Sequence, residues 1–361
     1  MTPRENFSLM MNGAKGAQWL PLALPATRPV VDLVEAKLGT RDLTCAFNLD
    51  FGDVKVGLRD DVDRWKAAYT GMGVEIPADA EFWGLGVVKL PPPPESVGSA
   101  YHLRTFMHPL AGFETVAQLE SLPWPDLNTA LDDSALAGRV KEVAADGHVS
   151  VCGVGSIFEA SWYVRGMDGL FADIIEENGV GDWLLEWFTE LNIRRGAMAA
   201  RAGVDVLILG DDVGTQRGMM MSVDFWREHF KPRLKRVIDS IRANQTQPLW
   251  IYYHSDGDVR PILNDLAEVG VDILNPVQPE CMPVEEVIRE HRHHLKFWGM
   301  VGTQTTMPFG TPDDVRRVVA DCARYAREGA GVVVAPTHVL EPDVPWENIE
   351  ALVEAVKTTR L

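Results

Sequence analysis

Cysteine is scarce in this chain: Cys45, Cys152, Cys281 and Cys322 are the only four in 361 residues, far apart and with no C-x-x-C pair. That spacing speaks against a disulfide framework. Basic residues are outnumbered too, 34 Lys and Arg against 52 Asp and Glu, for a formal net charge of −18. Nucleic acids and anionic membranes carry dense negative charge, so neither is expected as a partner. Long apolar runs are missing: none approaches the ~18 residues of a membrane helix, and residues 1–16 lack the apolar centre of a signal peptide. A cytoplasmic protein is expected. The Gly153-x-Gly155 pair lacks the third glycine and the downstream acid of a dinucleotide fingerprint.

What the chain does have is apolar substance, 46% of its residues, distributed in short runs. Runs at 19–24, 43–51, 148–153, 204–209, 249–253, 271–274, 295–298 and 332–335 read as strands. Helical periodicity fills 168–201, 222–243, 259–269 and 284–291. Ser222 and Thr311 stand where N-caps belong, with Pro312, Asp313 and Asp314 completing the second start. Strand alternating with helix implies parallel strands. The expected fold is a (β/α)8 TIM barrel with an N-terminal extension, one domain over residues 1–361. Residues 56–147 fit no barrel strand and are expected to form an insertion covering the barrel mouth. The Pro91-Pro92-Pro93-Pro94 run within it reads as a rigid extended segment.

Three of the apolar runs end in chemistry. The run to Tyr253 gives way to His254-Ser255-Asp256-Gly257, the run to Leu209 to Gly210-Asp211-Asp212, and the run to Ala335 to Pro336-Thr337-His338. Strand C-termini are where parallel α/β proteins place their sites. Imidazole and carboxylate both suit zinc, so His254, Asp256 and His338 are candidate ligands, with Cys281 as a fourth. The competing reading makes the histidines acid/base groups without metal. Asp211 and Asp212, adjacent at one tip, repel unless a cation or basic substrate lies there, and one pKa rises. A helix or loop cap is the plainer role for either. Glu159, Trp162, Tyr163 and Arg165 follow a small-residue stretch, and the aromatic pair could wall a flat substrate or pack in the core. Gln216, Gln278 and Gln304 place neutral amides beyond strand tips, to bind substrate or to support the loops.

Several long segments, in order, resemble the uroporphyrinogen decarboxylase superfamily and its methyltransferase branch. They are FEASWYVRGMDGL (158–170), GDDVGTQRGMMMS (210–222), HSDGDVRPILNDLAEVGVDILNPVQPECM (254–282), FWGMVGTQTTMPFGTPDDVRRVV (297–319) and APTHVLEPDVPWENIEALVEAV (335–356). The resemblance implies a (β/α)8 barrel with its site at the C-terminal strand ends. It also implies zinc as cofactor, with His254 as first ligand. Asp256 and His338 replace the two thiolates of the thiol methyltransferases, and this harder set suits oxygen better than sulfur. The implied activity is methyl transfer from a small O-methyl or N-methyl substrate to a corrinoid carried by a partner protein. The chain has no Asp-x-His-x-x-Gly run of its own for a corrinoid. Asp211, Asp212, Glu159 and His338 are the catalytic candidates in this scheme. A metal-free decarboxylase or lyase is the alternative, since His338 stands where the decarboxylase has a histidine. That enzyme's arginine-rich N-terminal motif is missing. A non-catalytic small-molecule-binding barrel is the third reading.

Overall fold

Apolar runs without polar alternation suit strands buried on both faces; six of the eight expected runs become strands, and with Phe51–Val54 they form one seven-stranded parallel sheet. The strands are β1 (Phe51–Val54), β2 (Val149–Gly155), β3 (Val206–Gly210), β4 (Trp250–His254), β5 (Ile273–Asn275), β6 (Lys296–Trp298) and β7 (Val332–Val333). They pair in chain order, each parallel to the next. The computed structural model describes residues 1–91 and 105–361. The sheet is curled. Phe51 of β1 and Trp298 of β6 lie far apart in strand order, yet their ring centroids are 4.5 Å apart, and Tyr252 of β4 meets the same tryptophan at 5.2 Å.

The expected strand at 19–24 is reduced to a single parallel bridge, Leu22 to Val334. Pro21 and Pro25 have no N–H to donate, which prevents a regular ladder. Pro21 O still accepts from Val334 N at 2.9 Å, and Ala23 N donates to Val334 O at 3.0 Å. On the β1 side the buried Asp50 carboxylate takes the place of ladder bonds, accepting from Leu22 N at 2.9 Å and from Trp19 Nε1 at 3.0 Å.

The expected strand at 43–51 is corrected. Leu43–Phe47 is a short helix, because Asp42 caps it through Cys45 N and Asn48 closes it in the left-handed region at φ 48°. The strand begins only at Phe51. The long helix at 168–201 is two, Met167–Ile175 and Val180–Arg201. Glu177 takes φ 51°, and the Asn178 side chain accepts from Val180 N to start the second. The Ser222 and Thr311 caps form as read, Ser222 accepting from Phe225 N and Thr311 making a capping box with Asp314.

The helix Pro3–Met11 closes the end of the sheet where the strands begin. Its Phe7 ring lies 5.6 Å from Phe51, and Arg4 pairs with Asp205 at 2.7 Å, just ahead of β3. The C-terminal strand ends are left for the site. Over residues 56–147 the chain forms the helix Val62–Gly71 and an antiparallel three-stranded sheet, Glu81–Gly84, Val87–Lys89 and Phe106–Met107. Trp65, Tyr69, Val88, Leu110 and Leu119 make a small apolar cluster there that packs on Val164, Val180 and Leu184. The main core draws on residues from Phe7 to Val356. Pro92, Pro93 and Pro94 lie outside the described residues. Among those described, no helix is long and apolar enough to cross a membrane.

Candidate functional site

β4 ends at His254, and the chain then turns through Ser255, Asp256, Gly257 and Asp258. All four N–H groups of that turn are held by neighbouring segments. Ser255 N donates to Asn275 O at 2.9 Å, Asp256 N to Asp212 Oδ1 at 2.8 Å, Gly257 N to Gln278 Oε1 at 3.1 Å, and Asp258 N to Thr215 O at 2.8 Å. The turn is therefore fixed from the end of β5 and from the loops after β3 and β5 together. Gly257 is required in it: φ is +87°, and a Cβ would lie 2.6 Å from Gly214 C.

His338 follows β7. Its predecessor Thr337 is fastened by Thr337 N to Val301 O at 2.9 Å and by its hydroxyl to Thr303 at 2.9 Å. The result is a convergence of three side chains from two strand ends. One ligand atom each from His254, Asp256 and His338 lie within 4.8 Å of one another. The two imidazole centroids are 6.0 Å apart. A nitrogen, an oxygen and a nitrogen at that separation fit a small divalent ion with one position left for a water or substrate. The set is not sealed: His254, Asp256 and His338 are all half-buried.

Asp212 Oδ1 lies 3.6 Å from His254 Nε2. Burial opposes the charged form of the His254 ring, but Asp212, Asp256, the Asn275 bond and Glu159 outweigh it and raise its pKa. Glu159 is pushed up to about 7, by burial first and by Asp212 second. Tyr163 donates its hydroxyl to Glu159 Oε1 at 2.6 Å, while the Tyr163 ring stacks on Phe106 at 3.9 Å. Trp162 meets Phe106 edge-on at 5.6 Å. This aromatic wall joins the three-stranded sheet, through Phe106, to the acid beside the triad.

Asp211 takes the plainer of its two expected roles. It is buried, and its Oδ1 accepts from Ile157 N at 2.9 Å and Glu159 N at 3.0 Å, capping the helix Phe158–Arg165. Burial drives its pKa up, with Glu159 adding to the rise. Arg165 is not brought to the site. It is buried against Asp173 at 2.6 Å, and its remaining donors go to Leu110 O and Ala111 O. Cys281 stands outside the triad, and its thiol is pushed up to about 11 by burial, then by Glu280, Asp256 and Asp258. Gln278 is buried and spends its amide oxygen on Gly257 N, a supporting role. Gln216 and Gln304 meet each other at 2.7 Å, bridging the loops after β3 and β6. Asn275 went unnoticed in the sequence; the only signal was a polar residue closing a buried strand, the same signal that marks His254.

A methylcobamide:CoM methyltransferase, MtaA, from Methanosarcina barkeri is 29% identical over 209 residues, 53% of this chain and 57% of that protein. The chain thus spans just over half the length of that relative. A uroporphyrinogen decarboxylase from a Synechococcus species is 28% identical over 127 residues, 35% of this chain and 34% of its own. Among solved structures, a methyltransferase from Methanosarcina mazei shares the fold at TM-score 0.66 and 18% identity, covering 99% of this chain and 98% of that one. The sequence model of the uroporphyrinogen decarboxylase (URO-D) family matches residues 105–359, most of the 361-residue chain, and the chain belongs to that family.

Proposed function

We propose that this protein is a methyltransferase that moves a methyl group from a small O-methyl or N-methyl compound to a corrinoid carried by a partner protein. The observation that carries this reading is the convergence of His254, Asp256 and His338 beside a carboxyl group, Glu159, tuned to about 7. The relatives named as methyltransferases support it. His254, Asp256 and His338 would hold the ion, zinc in the first instance, and zinc would act there as a Lewis acid on the leaving atom. The nitrogen and oxygen donors make the set harder than one built on thiolates, which favours an oxygen or amine leaving group over a thiol.

In the transfer, the bond from methyl carbon to oxygen or nitrogen breaks. The corrinoid cobalt, as acceptor, supplies the electron pair of the new bond to carbon. The leaving atom keeps the old pair and takes a proton. Glu159 is suited to give that proton, because near neutral pH a substantial fraction of it is protonated. Asp212, accepting from Asp256 N, holds the turn and faces the His254 ring. Trp162 and Tyr163 flank the substrate. On the same reading, residues 19–24 serve as the eighth stave that closes a (β/α)8 barrel, residues 1–361 form one domain, and residues 56–147 are its cap.

The test has two parts. Protein purified without chelator and supplied with zinc is expected to hold close to one equivalent by elemental analysis, and His254→Ala to lose it. Reduced cobalamin is then offered with a panel of methoxyarenes and methylamines, and methylation is followed by its absorbance change. Activity and metal content should fall together in His254→Ala. Far less than one equivalent of zinc in the wild type sinks the metal assignment. Protein that holds no zinc and methylates cobalamin from no panel member, yet releases carbon dioxide from a carboxylated substrate, would favour the metal-free lyase reading.

A further inference from the structure

We infer that Asn275 is a positioning residue that sets the tautomer of His254, and so decides which ring nitrogen faces the site. Asn275 closes β5 beside His254 in the ladder and is 4% exposed, so water does not compete for its amide. Its Nδ2 lies 2.8 Å from the carbonyl oxygen of Trp298. A carbonyl only accepts, so the amide nitrogen must face it and the amide oxygen must face the other way. That oxygen, Oδ1, lies 2.6 Å from His254 Nδ1. An amide oxygen also only accepts, so His254 Nδ1 must carry the hydrogen. In the neutral ring Nε2 is then the bare nitrogen. Nε2 is the atom 3.6 Å from Asp212, on the side of the ring that opens to the site.

The orientation is enforced over two bonds from a backbone atom that cannot change its role. Gly299 preserves the room for it: its φ is +81°, and a Cβ there would lie 2.8 Å from Asn275 Nδ2. On the other flank a Cβ at Gly210 would lie 2.7 Å from His254 Cβ, so the ring is confined between neighbouring strands. The consequence is a choice made before any ligand arrives. A histidine in water favours the proton on Nε2; here it is held in the opposite form, with Nε2 ready to bind an ion or accept a proton.

The experiment uses the full chain, freed of metal by chelator and dialysis, with [15N]histidine incorporated. Long-range proton–nitrogen spectra are recorded at a pH where the ring is neutral, and His254→Gln identifies the His254 signals by their loss. The wild type is expected to show a protonated, pyrrole-type Nδ1 and a bare, pyridine-type Nε2. Asn275→Ala is expected to shift the ring toward the Nε2–H form, and Asn275→Asp, which still offers an acceptor, to restore Nδ1–H. A wild-type ring that carries its hydrogen on Nε2 overturns the inference without recourse to any variant. So does an Asn275→Ala protein whose His254 tautomer is unchanged.

A second readout rests on the zinc reading above. Competition with a chromophoric chelator is expected to show zinc held about 10- to 100-fold more weakly by Asn275→Ala, as for other partners that orient a metal-bound histidine, with recovery in Asn275→Asp. The two failures are separable. A wild type that keeps Nδ1–H but takes up no zinc supports the positioning role and overturns the zinc assignment. Equal zinc affinity in wild type and Asn275→Ala counts against the positioning role alone.

Discussion

Glu159 concentrates the electrostatics of the site in one residue. Its pKa is pushed up to about 7 by burial and by the negative charge of Asp212, against the partial relief of the Tyr163 hydroxyl and of His254. An unfolded glutamate titrates near 4.3. Between those two values the folded, metal-free chain holds a proton that the unfolded chain has released. Stability therefore falls as pH rises through that window, and the full penalty applies above about 7. Its size is about 3–4 kcal/mol, from a pKa difference of roughly 2.7 at about 1.4 kcal/mol per unit. Glu159→Gln keeps the shape and removes the charge. In metal-free protein it is expected to raise the melting temperature at pH 8.5 and to leave it nearly unchanged at pH 5. Thermal scans of both proteins at the two pH values check this. An equal gain at both would mean that packing, and not ionisation, separates the two side chains.

At the scale of elements, the turn 255–258 carries the site, because it sets the place of the Asp256 carboxylate through four fixed N–H groups. Gly257→Ala forces a left-handed backbone onto a residue with a Cβ and drives that Cβ into Gly214 and Thr215. The backbone strain alone costs about 1–3 kcal/mol. Urea unfolding is expected to show at least that loss, and zinc binding to weaken with it; an unchanged urea midpoint would show that the turn is slack. The strand-tip residues were legible beforehand because a run buried on both faces stays apolar until it reaches its C-terminal end. His254, Asp256 and His338 stood out for that reason. The run at 43–51 misled because its apolar residues serve a capped helix, and Asp42 and Asn48 decide that locally. The segment at 19–24 was recognisable as an apolar run, but its prolines leave only one bridge to β7. Asn275 escaped notice because its meaning lies in Trp298 and His254, residues that sequence spacing does not bring together.

For the whole molecule the question is how the elements between Val62 and Glu120 are fastened to the rest of the chain. The aromatic contacts of Phe106 with Tyr163 and Trp162 supply one attachment, and Arg165 supplies another. In sequence Arg165 reads as a substrate-binding residue, grouped with Glu159, Trp162 and Tyr163 after the small-residue stretch at 152–156. In the fold it is buried, pairs with Asp173 through two contacts, and donates to the carbonyls of Leu110 and Ala111. The two roles predict opposite outcomes for Arg165→Ala. A substrate-binding arginine on the mouth would cost affinity for the methyl donor and leave stability nearly untouched. A buried tie leaves Asp173 with a charge whose remaining side-chain donor is Asn178 Nδ2, and strips the buried Leu110 carbonyl and the Ala111 carbonyl of a partner. Breaking such a pair costs about 3–5 kcal/mol. Arg165→Ala is therefore expected to melt several degrees lower than the wild type and to be cleaved faster by a protease within 56–147. Arg165→Lys should recover only part of the loss, because a single ammonium does not match the forked contacts of the guanidinium. A variant with wild-type melting and protease resistance but weakened donor binding would return Arg165 to the site and require another explanation for how the segment is held.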